Sequence, residues 1–469
     1  MLSLRLHNTL GNTKEEFIPI DKKHIKIYAC GPTVYNYAHI GNARMAIVCD
    51  LLVRILKILY PKVTYVSNIT DIDDKIINAS IEQNVPIEKL TKKFEKIYNE
   101  DMISLGVSKP DIQPRATEHI PEMIKLINIL LKNNCAYIKD NHVLFDVLSY
   151  PQYGQLSGRN KEEQIAGSRV EVADYKKNSG DFVLWKPSTE NQPGWDSPWG
   201  RGRPGWHIEC SAMSEKTLSL PFDIHGGGLD LTFPHHENEI AQTCGAHNFK
   251  DPRQYAKYWV HNGFVTIDGE KMSKSAGNIF LVNDLTESFS GETLRYALLS
   301  SHYRQPLNWN KQLIQQSQKT LDRIYRILKE NEKITYDQTI SADDKVLEAL
   351  TDDLNSVIAL SEINKLAEKL SRSNDVDKKF YKSKLLSSGK LLGILNNNPN
   401  NWLNYNATDD NININKIKEL IEKRDEARNN KDFNTADKIR NTLYNMGIEI
   451  EDTKDGTKWR KKIMDIKNK

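Results

Sequence analysis

In the stretch DLTFPHHENEIAQT, residues 230–243, His235, His236, Glu237 and Glu239 fall within five positions behind Pro234. Proline suits the first turn of a helix, and in a helix His235 and Glu239, four apart, share one face. Such a pair is a surface ion pair, an acid/base couple or half of a metal site. Only the last needs partners from elsewhere in the chain. Two cysteines are candidates: Cys30 ends the apolar run HIKIYACG, and Cys210 lies in GWHIECSAM. Two thiolates, an imidazole and a carboxylate make a four-ligand set of the kind zinc accepts. A cysteine at the end of a buried strand is equally a packed structural thiol, and spacing alone leaves these readings open.

Two other stretches carry the chemistry of phosphates. In CGPTVYNYAHIGNAR a strand-like run gives way to a helical one at His39, Gly41 and Asn42. A helix start after a parallel strand offers free backbone N–H groups and a favourable dipole to an anion. Gly41 lets backbone approach a nucleotide, and the His39 imidazole can donate to a phosphoryl oxygen, although HIGN alone is also an ordinary turn. GEKMSKSAGN, residues 269–278, sets Lys271 and Lys274 among small and polar residues that build no core. Lysines on such a loop can follow a pyrophosphate as it gains charge in leaving, a contact made in the transition state. In NITDIDDKI, the residues Asp71, Asp73 and Asp74 read as caps and solvating groups of a helix start, with Asp71 the expected cap.

These groups need a scaffold. HIKIYACG and VTYVSNIT read as buried strands, and the run from Asn42 to Tyr60 as a helix, so the chain opens as a parallel α/β sheet. Between Pro110 and Gly205 one amphipathic helix is followed by loop-rich sequence crowded with Gly, Pro and Trp, which reads as an insertion splitting the α/β domain. FDIHGGG resumes the sheet, and beyond Leu285 the periodicity is almost wholly helical. NNNPNN marks a linker, and the C-terminal segment reads as two helices with Gly447 as the C′ residue, then a hairpin turning at Asp455-Gly456. The expected units are 1–115 and 205–284 for the two halves of a Rossmann-type domain, 116–204 for the insertion, 285–395 for a helical bundle, 396–410 for a linker and 411–469 for a small α+β domain.

Composition narrows the class. Of 469 residues, 39% are apolar and 27% charged, and no run approaches the ~20 apolar residues that span a bilayer. MLSLRLHNTLGNTKEEF lacks the apolar core of a secretory signal, so the cytoplasm is the expected compartment. Five cysteines far apart suit free thiols or metal ligands better than a disulfide framework. The net charge of +3 hides an uneven distribution, since residues 411–469 hold 15 Lys+Arg against 11 Asp+Glu, densest in KWRKK. That excess fits either a solvated tail or a phosphate backbone.

Taken together and in this order, CGPTVYNYAHIGNAR, NITDIDDKI, GWHIECSAM, DIHGGGLDLTFPHHENEIAQ and GEKMSKSAGN resemble the cysteinyl-tRNA synthetase family of class I aminoacyl-tRNA synthetases, over essentially the whole chain. The resemblance implies activation of L-cysteine with ATP, transfer to the terminal adenosine of tRNA(Cys), and a monomer. It implies one Zn2+ per chain held by Cys30, Cys210, His235 and Glu239, with His236 and Glu237 outside the set and His225 a site-lining or structural histidine. It also implies His39 and Asn42 at the reacting phosphate, with Lys271, Lys274 and Mg2+ on the leaving pyrophosphate. Gly31, Gly41, Gly227 and Asp230 would lie along the nucleotide, and Thr70 and Trp206 would wall the amino-acid pocket. The C-terminal segment would read the anticodon, with Trp459 available for stacking. Asn42 stands where the signature of the class has histidine, a variant that occurs within the family; asparagine still donates a hydrogen bond but carries no charge.

An apolar pocket separates near-isosteres by only ~10- to 200-fold, whereas a thiol and a hydroxyl differ greatly as ligands of a soft metal. Zinc is therefore expected to select the side chain, and the insertion is small for a separate proofreading domain. Two other readings are a cysteine ligase with an amino-sugar acceptor, which would not need residues 411–469, and a non-catalytic zinc-dependent RNA-binding protein, which would not need His39, Lys271 and Lys274.

Overall fold

The computed structural model describes residues 3–159, 174–272, 277–403, 414–453 and 456–461. An N-terminal hairpin, β1 (Arg5–Asn8) and β2 (Thr13–Glu16), turns at Gly11 and Asn12, both at positive φ. Then β3 (Ile25–Ala29), α1 (Ile40–Leu59), β4 (Val63–Ser67), α2 (Asp74–Gln83), α3 (Ile87–Ser104) and α4 (Ile120–Lys132) follow. An antiparallel meander comprises β5 (Ala136–Lys139), β6 (His142–Phe145), β7 (Phe182–Pro187) and β8 (Gly202–Pro204). The chain returns through α5 (Trp206–Leu218), β9 (Phe222–Gly228), α6 (Glu237–His247) and β10 (Ala256–Asn262).

The central sheet has the order β10-β9-β3-β4 and all its pairs are parallel. Its strands are covered on both faces, which is why IKIYA and FDIHGGG are nearly continuous buried runs without alternation. Helix α1 packs its apolar residues beneath that sheet and ends at Tyr60, just before Pro61. Its middle is pinned: Asp50 is buried and pairs with Arg295 at 2.5 Å, and with Arg54 one turn on in the same helix at 2.7 Å.

A three-stranded unit of β11 (Val265–Ile267), β12 (Glu270–Lys271) and β13 (Leu307–Trp309) follows, with α7 (Val282–Ser288) and α8 (Gly291–Leu299) between β12 and β13. The parallel pairing of β13 with β11 is a non-local contact that the helical periodicity after Leu285 does not reveal. Beyond it come α9 (Lys311–Glu330), α10 (Asp344–Thr351), α11 (Ser356–Arg372), α12 (Asp375–Leu392) and α13 (Pro399–Leu403). The expected linker is docked in its first part: Trp402 is buried, stacks on Tyr325 at 4.4 Å and donates to Asp322. Asn396 and Asn397 bind the buried Glu292 carboxylate; residues 404–413 lie outside the described residues. Last come α14 (Ile414–Asn429), α15 (Phe433–Asn445), β14 (Ile448–Thr453) and β15 (Gly456–Lys461), with a small core of Ile417, Ile421, Leu443 and Ile448. Gly447 follows α15 at φ 77°, while Asp455 and Lys462 lie outside the described residues. No helix among the described residues is long and apolar enough to cross a membrane.

Candidate active site

At the C-terminal ends of β3, β9 and β10 a cavity of about 1400 Å3 opens between the sheet, the insertion and the segment before α7. Its deepest wall is the donor cluster. Cys30 leaves the end of β3, Cys210 rises from the second turn of α5, and His235 and Glu239 come from the chain entering α6. Phe233 is extended (φ −141°, ψ 131°) and the chain turns helical behind it, so His235 and Glu239 face together at 3.1 Å. Cys30 Sγ lies 3.6 Å from Cys210 Sγ, 3.4 Å from His235 Nε2 and 3.4 Å from Glu239 Oε1. All four donor atoms fall within 4.8 Å of one another, and none of the four residues is more than 3% exposed.

Two of the donors, Glu239 and His235, are held from behind, as metal ligands usually are. Glu239 Oε2 meets His225 Nε2 at 3.0 Å and accepts from Tyr255 OH at 2.8 Å. His235 Nδ1 meets His207 Nδ1 at 2.9 Å, and its ring stacks on Trp206 at 4.3 Å. A second group, Cys30, His225, His236 and Glu239, also satisfies the distance condition. His236 holds His261 through Nδ1 at 2.7 Å and brings Nε2 to 3.3 Å from Cys30 Sγ, but neither it nor His225 lines the cavity, whereas Cys30, Cys210 and His235 do. Glu237, also buried, turns away from the cluster and accepts from the Gly154 and Ser157 amides of the insertion.

The electrostatics suit a cation. The hydrogen bond from Cys30 pulls the Cys210 thiol down to about 6, while burial pushes Cys30 well above its ordinary value. Burial works against charge on His235, yet Glu239 and Cys210 raise it to about 10. Burial likewise opposes ionisation of Glu239, but His225 and His235 outweigh it and hold the carboxyl well below its usual range. Two thiols, an imidazole and a carboxylate converging in a buried site fit zinc in kind and number.

The opposite wall belongs to the start of α1. His39 caps that helix, its Nδ1 accepting from Gly41 N at 3.1 Å and Asn42 N at 3.3 Å, while Asn42 Oδ1 accepts from His39 N at 3.1 Å. With Nδ1 accepting, the imidazole proton sits on Nε2. The flanks of the lysine segment are tied here: Ile40 N donates to Phe280 O and Val282 N to Ala38 O. A Cβ on Gly41 would lie 3.4 Å from Met272 Cε. Lys271 belongs to β12, and Lys274 lies outside the described residues.

The other expected residues separate by setting. Thr70 lines the cavity and donates to the buried Glu209, and Trp206 lines it while 39% exposed. Gly31 lines it too, and a Cβ there would sit 1.6 Å from Asn68 O, so only glycine fits. Asp230 and Gly228 line it, whereas Gly227 does not: a Cβ at 227 would lie 2.7 Å from the His236 ring. Asp71 does not cap α2. Asp73 does, because it alone stands directly before the first helical residue, and Asp71 instead accepts from Thr117. Sequence reasoning passed over Asn68, whose side chain accepts from Gly31 N and lies 3.7 Å from Cys210 Sγ, and His207 and Tyr255. Only its place two residues before Thr70 singles out Asn68 in the sequence.

A family model described as the class I (C) tRNA synthetase catalytic domain matches residues 16–319, and one described as the cysteinyl-tRNA ligase anticodon binding domain matches residues 415–460. The cysteine–tRNA ligase of Parvibaculum lavamentivorans is 50% identical over 461 residues, covering 98% of each chain. That of Wolbachia pipientis is 50% identical over 470 residues, covering 99% of each. Among solved structures, a methionyl-tRNA synthetase of Mycobacterium tuberculosis in complex with methionyl-adenylate superposes with a TM-score of 0.56 at 16% identity, over 79% of this chain and 89% of that one. That degree of likeness bears on the fold.

Proposed function

From the premise that the chain belongs to the cysteinyl-tRNA synthetase family, and so is a cysteine–tRNA ligase, we propose how its residues divide the work. Cys30, Cys210, His235 and Glu239 would hold one zinc ion per chain, which when bound supplies a soft Lewis acid that favours a thiol over a hydroxyl. Trp206 and Thr70 wall the pocket beside it and orient the amino acid. The cysteine carboxylate then attacks the α-phosphorus of ATP; a P–O bond forms and pyrophosphate departs with the Mg2+ that accompanied the nucleotide. His39, through Nε2–H, and the Asn42 amide donate to the phosphoryl oxygens, while Lys271 and Lys274 follow the leaving pyrophosphate. Gly31, Gly41 and Asp230 shape the nucleotide site. In the second step the 2′-hydroxyl of the terminal tRNA adenosine attacks the acyl carbon and AMP leaves.

Residues 1–115 and 205–284 form the catalytic domain in this reading, 116–204 its insertion, 285–395 the stem-contact bundle, 396–410 the linker and 411–469 the anticodon-reading unit. The chain works as a cytoplasmic monomer without editing. One observation supports this reading above the rest: four ligand-type donors lie within 4.8 Å of one another, and three of them, Cys30, Cys210 and His235, line the cavity that His39 and Asn42 also line. The test is ATP–pyrophosphate exchange with zinc measured on the same sample. Exchange with cysteine but not serine, with one zinc per chain, is expected; exchange by a zinc-free protein would overturn the metal assignment.

A further inference from the structure

Arg44 stands on α1 two residues past Asn42 and is 0% exposed. Backbone oxygens alone meet its charge: Nη1 donates to Gly263 O at 3.0 Å and Phe264 O at 2.7 Å, and Nη2 to His302 O at 3.1 Å and Gln305 O at 2.7 Å. Among the described residues no carboxylate pairs with it and Nε has no partner. Burial lowers its pKa to about 10. A buried cation without a counter-ion is costly, so the two pairs of carbonyls it joins carry the interest.

The first pair follows β10. Gly263 and Phe264 line the cavity and lead into β11, which pairs with β12 and so with the strand that bears Lys271. The second pair precedes β13, which runs parallel to β11. The two segments touch directly: Gly263 N donates to Tyr303 O, Leu307 N to Phe264 O, and a Cβ at 263 would lie 2.6 Å from Arg304 O. One guanidinium therefore fastens the helix that begins with His39 and Asn42 to the segments leading into β11 and β13, two strands of the unit whose third strand bears Lys271.

We propose that Arg44 is a positioning residue for cysteine activation, fixing the separation between the His39–Asn42 element and the ribbon bearing Lys271. This rests on the roles assigned above to those residues. Arginine is required because its planar fork reaches acceptors on two sides at once, whereas a lysine ammonium delivers its protons from one point. Arg44 touches no reacting atom; its effect reaches the chemistry through distance.

The experiment compares Arg44→Lys and Arg44→Met with the wild-type chain in cysteine-dependent ATP–pyrophosphate exchange, with zinc content and thermal midpoint on the same samples. Misplacement of reacting groups by about 1 Å lowers a rate on the order of 100-fold, so a fall of that size in kcat is expected. The KM for cysteine should stay within about threefold, because the zinc end is untouched. Lys271→Ala is then made alone and with Arg44→Lys. If Arg44 acts through the ribbon, removing Lys271 costs less in the Arg44→Lys background than in the wild type; additive losses, or a drop in thermal midpoint with kcat preserved, would overturn the proposal. Should neither Arg44 variant fold, Gly263→Ala, which forces the same two segments apart, takes its place in the cycle. A wild-type chain without exchange, or full exchange in Lys271→Ala, would instead remove the reading beneath it.

Discussion

The two ends of the cavity are built on opposite plans. At the donor end four side chains from three parts of the chain converge with at most 3% exposure, and second contacts from His225, Tyr255, His207 and Trp206 leave them little freedom. At the nucleotide end His39 and Asn42 are half-buried and occupied in capping their own helix, and Lys271 belongs to a two-residue strand. A site that must tell sulfur from oxygen has to be rigid before the substrate arrives. A site that follows a pyrophosphate out of the cavity has to yield. In the proposed reading, the difference teaches that this molecule divides selection from catalysis by burial.

The largest expected effect falls on the rigid end. Cys210→Ser replaces a soft donor already depressed to about 6 with a hydroxyl that does not ionise there. Removing even an outer partner of a ligand weakens metal binding ~10- to 100-fold, so loss of a direct ligand should exceed that range. Metal analysis after dialysis should show zinc gone, and exchange should fall with it. A variant that keeps both would break the comparison, since the cluster would then be merely a packed core.

That contrast also explains what could be read from the chain. HIGN and KMSKS are each an ordinary turn alone and become legible as a pair, because a helix start and a lysine-bearing loop are local devices whose composition carries their role once both are present. The four donors were separately unremarkable, and only the resemblance joined them. Nothing at Cys30 indicates that residue 210 lies 3.6 Å away, because that distance is set by a parallel sheet closing across an insertion. His236 sits beside His235 in sequence yet binds His261, and a helix face alone does not decide which neighbour turns toward the cavity. Gly227 was expected along the nucleotide but makes room for the His236 ring, a packing demand invisible in GGGLD. The β13 strand and the docked Trp402 were hidden for the same reason, their partners being distant in sequence.

The next effect concerns the helix that carries the yielding end. Asp50 anchors α1 through Arg295 and Arg54, and Arg295 also donates to the carbonyls of Leu105, Gly106 and Leu392. Asp50→Asn leaves a buried guanidinium without its counter-ion, and breaking such a pair costs about 3–5 kcal/mol. Urea unfolding should show a loss of that order while the purified variant retains its zinc. The pH dependence has a definite sign. Burial alone would raise the Asp50 carboxyl, but Arg295 and Arg54 outweigh it and hold it below its ordinary value. Its contribution is therefore complete above the unfolded carboxyl value of about 4 and is lost as pH falls through the folded one, so wild type and variant should converge in acid.

The smallest effect isolates burial as the cause. Asp74 repeats the Asp50 arrangement, an aspartate on a catalytic-domain helix between two cations, Lys186 at 2.6 Å and Arg203 at 2.9 Å. Its side chain is 55% exposed, against 1% for Asp50. Water screens the Asp74 carboxylate, and the buried Arg203 keeps acceptors in Pro187 O, Ser188 Oγ and Gln192 Oε1, so Asp74→Asn should cost no more than ~1 kcal/mol in the same urea titration. Because α2 keeps its cap on Asp73, helix start and cavity wall stay in place. Equal losses at the two aspartates would mean that charge pairing, and not exclusion of water, holds the catalytic domain together, and the division between a rigid and a yielding end would lose its physical basis.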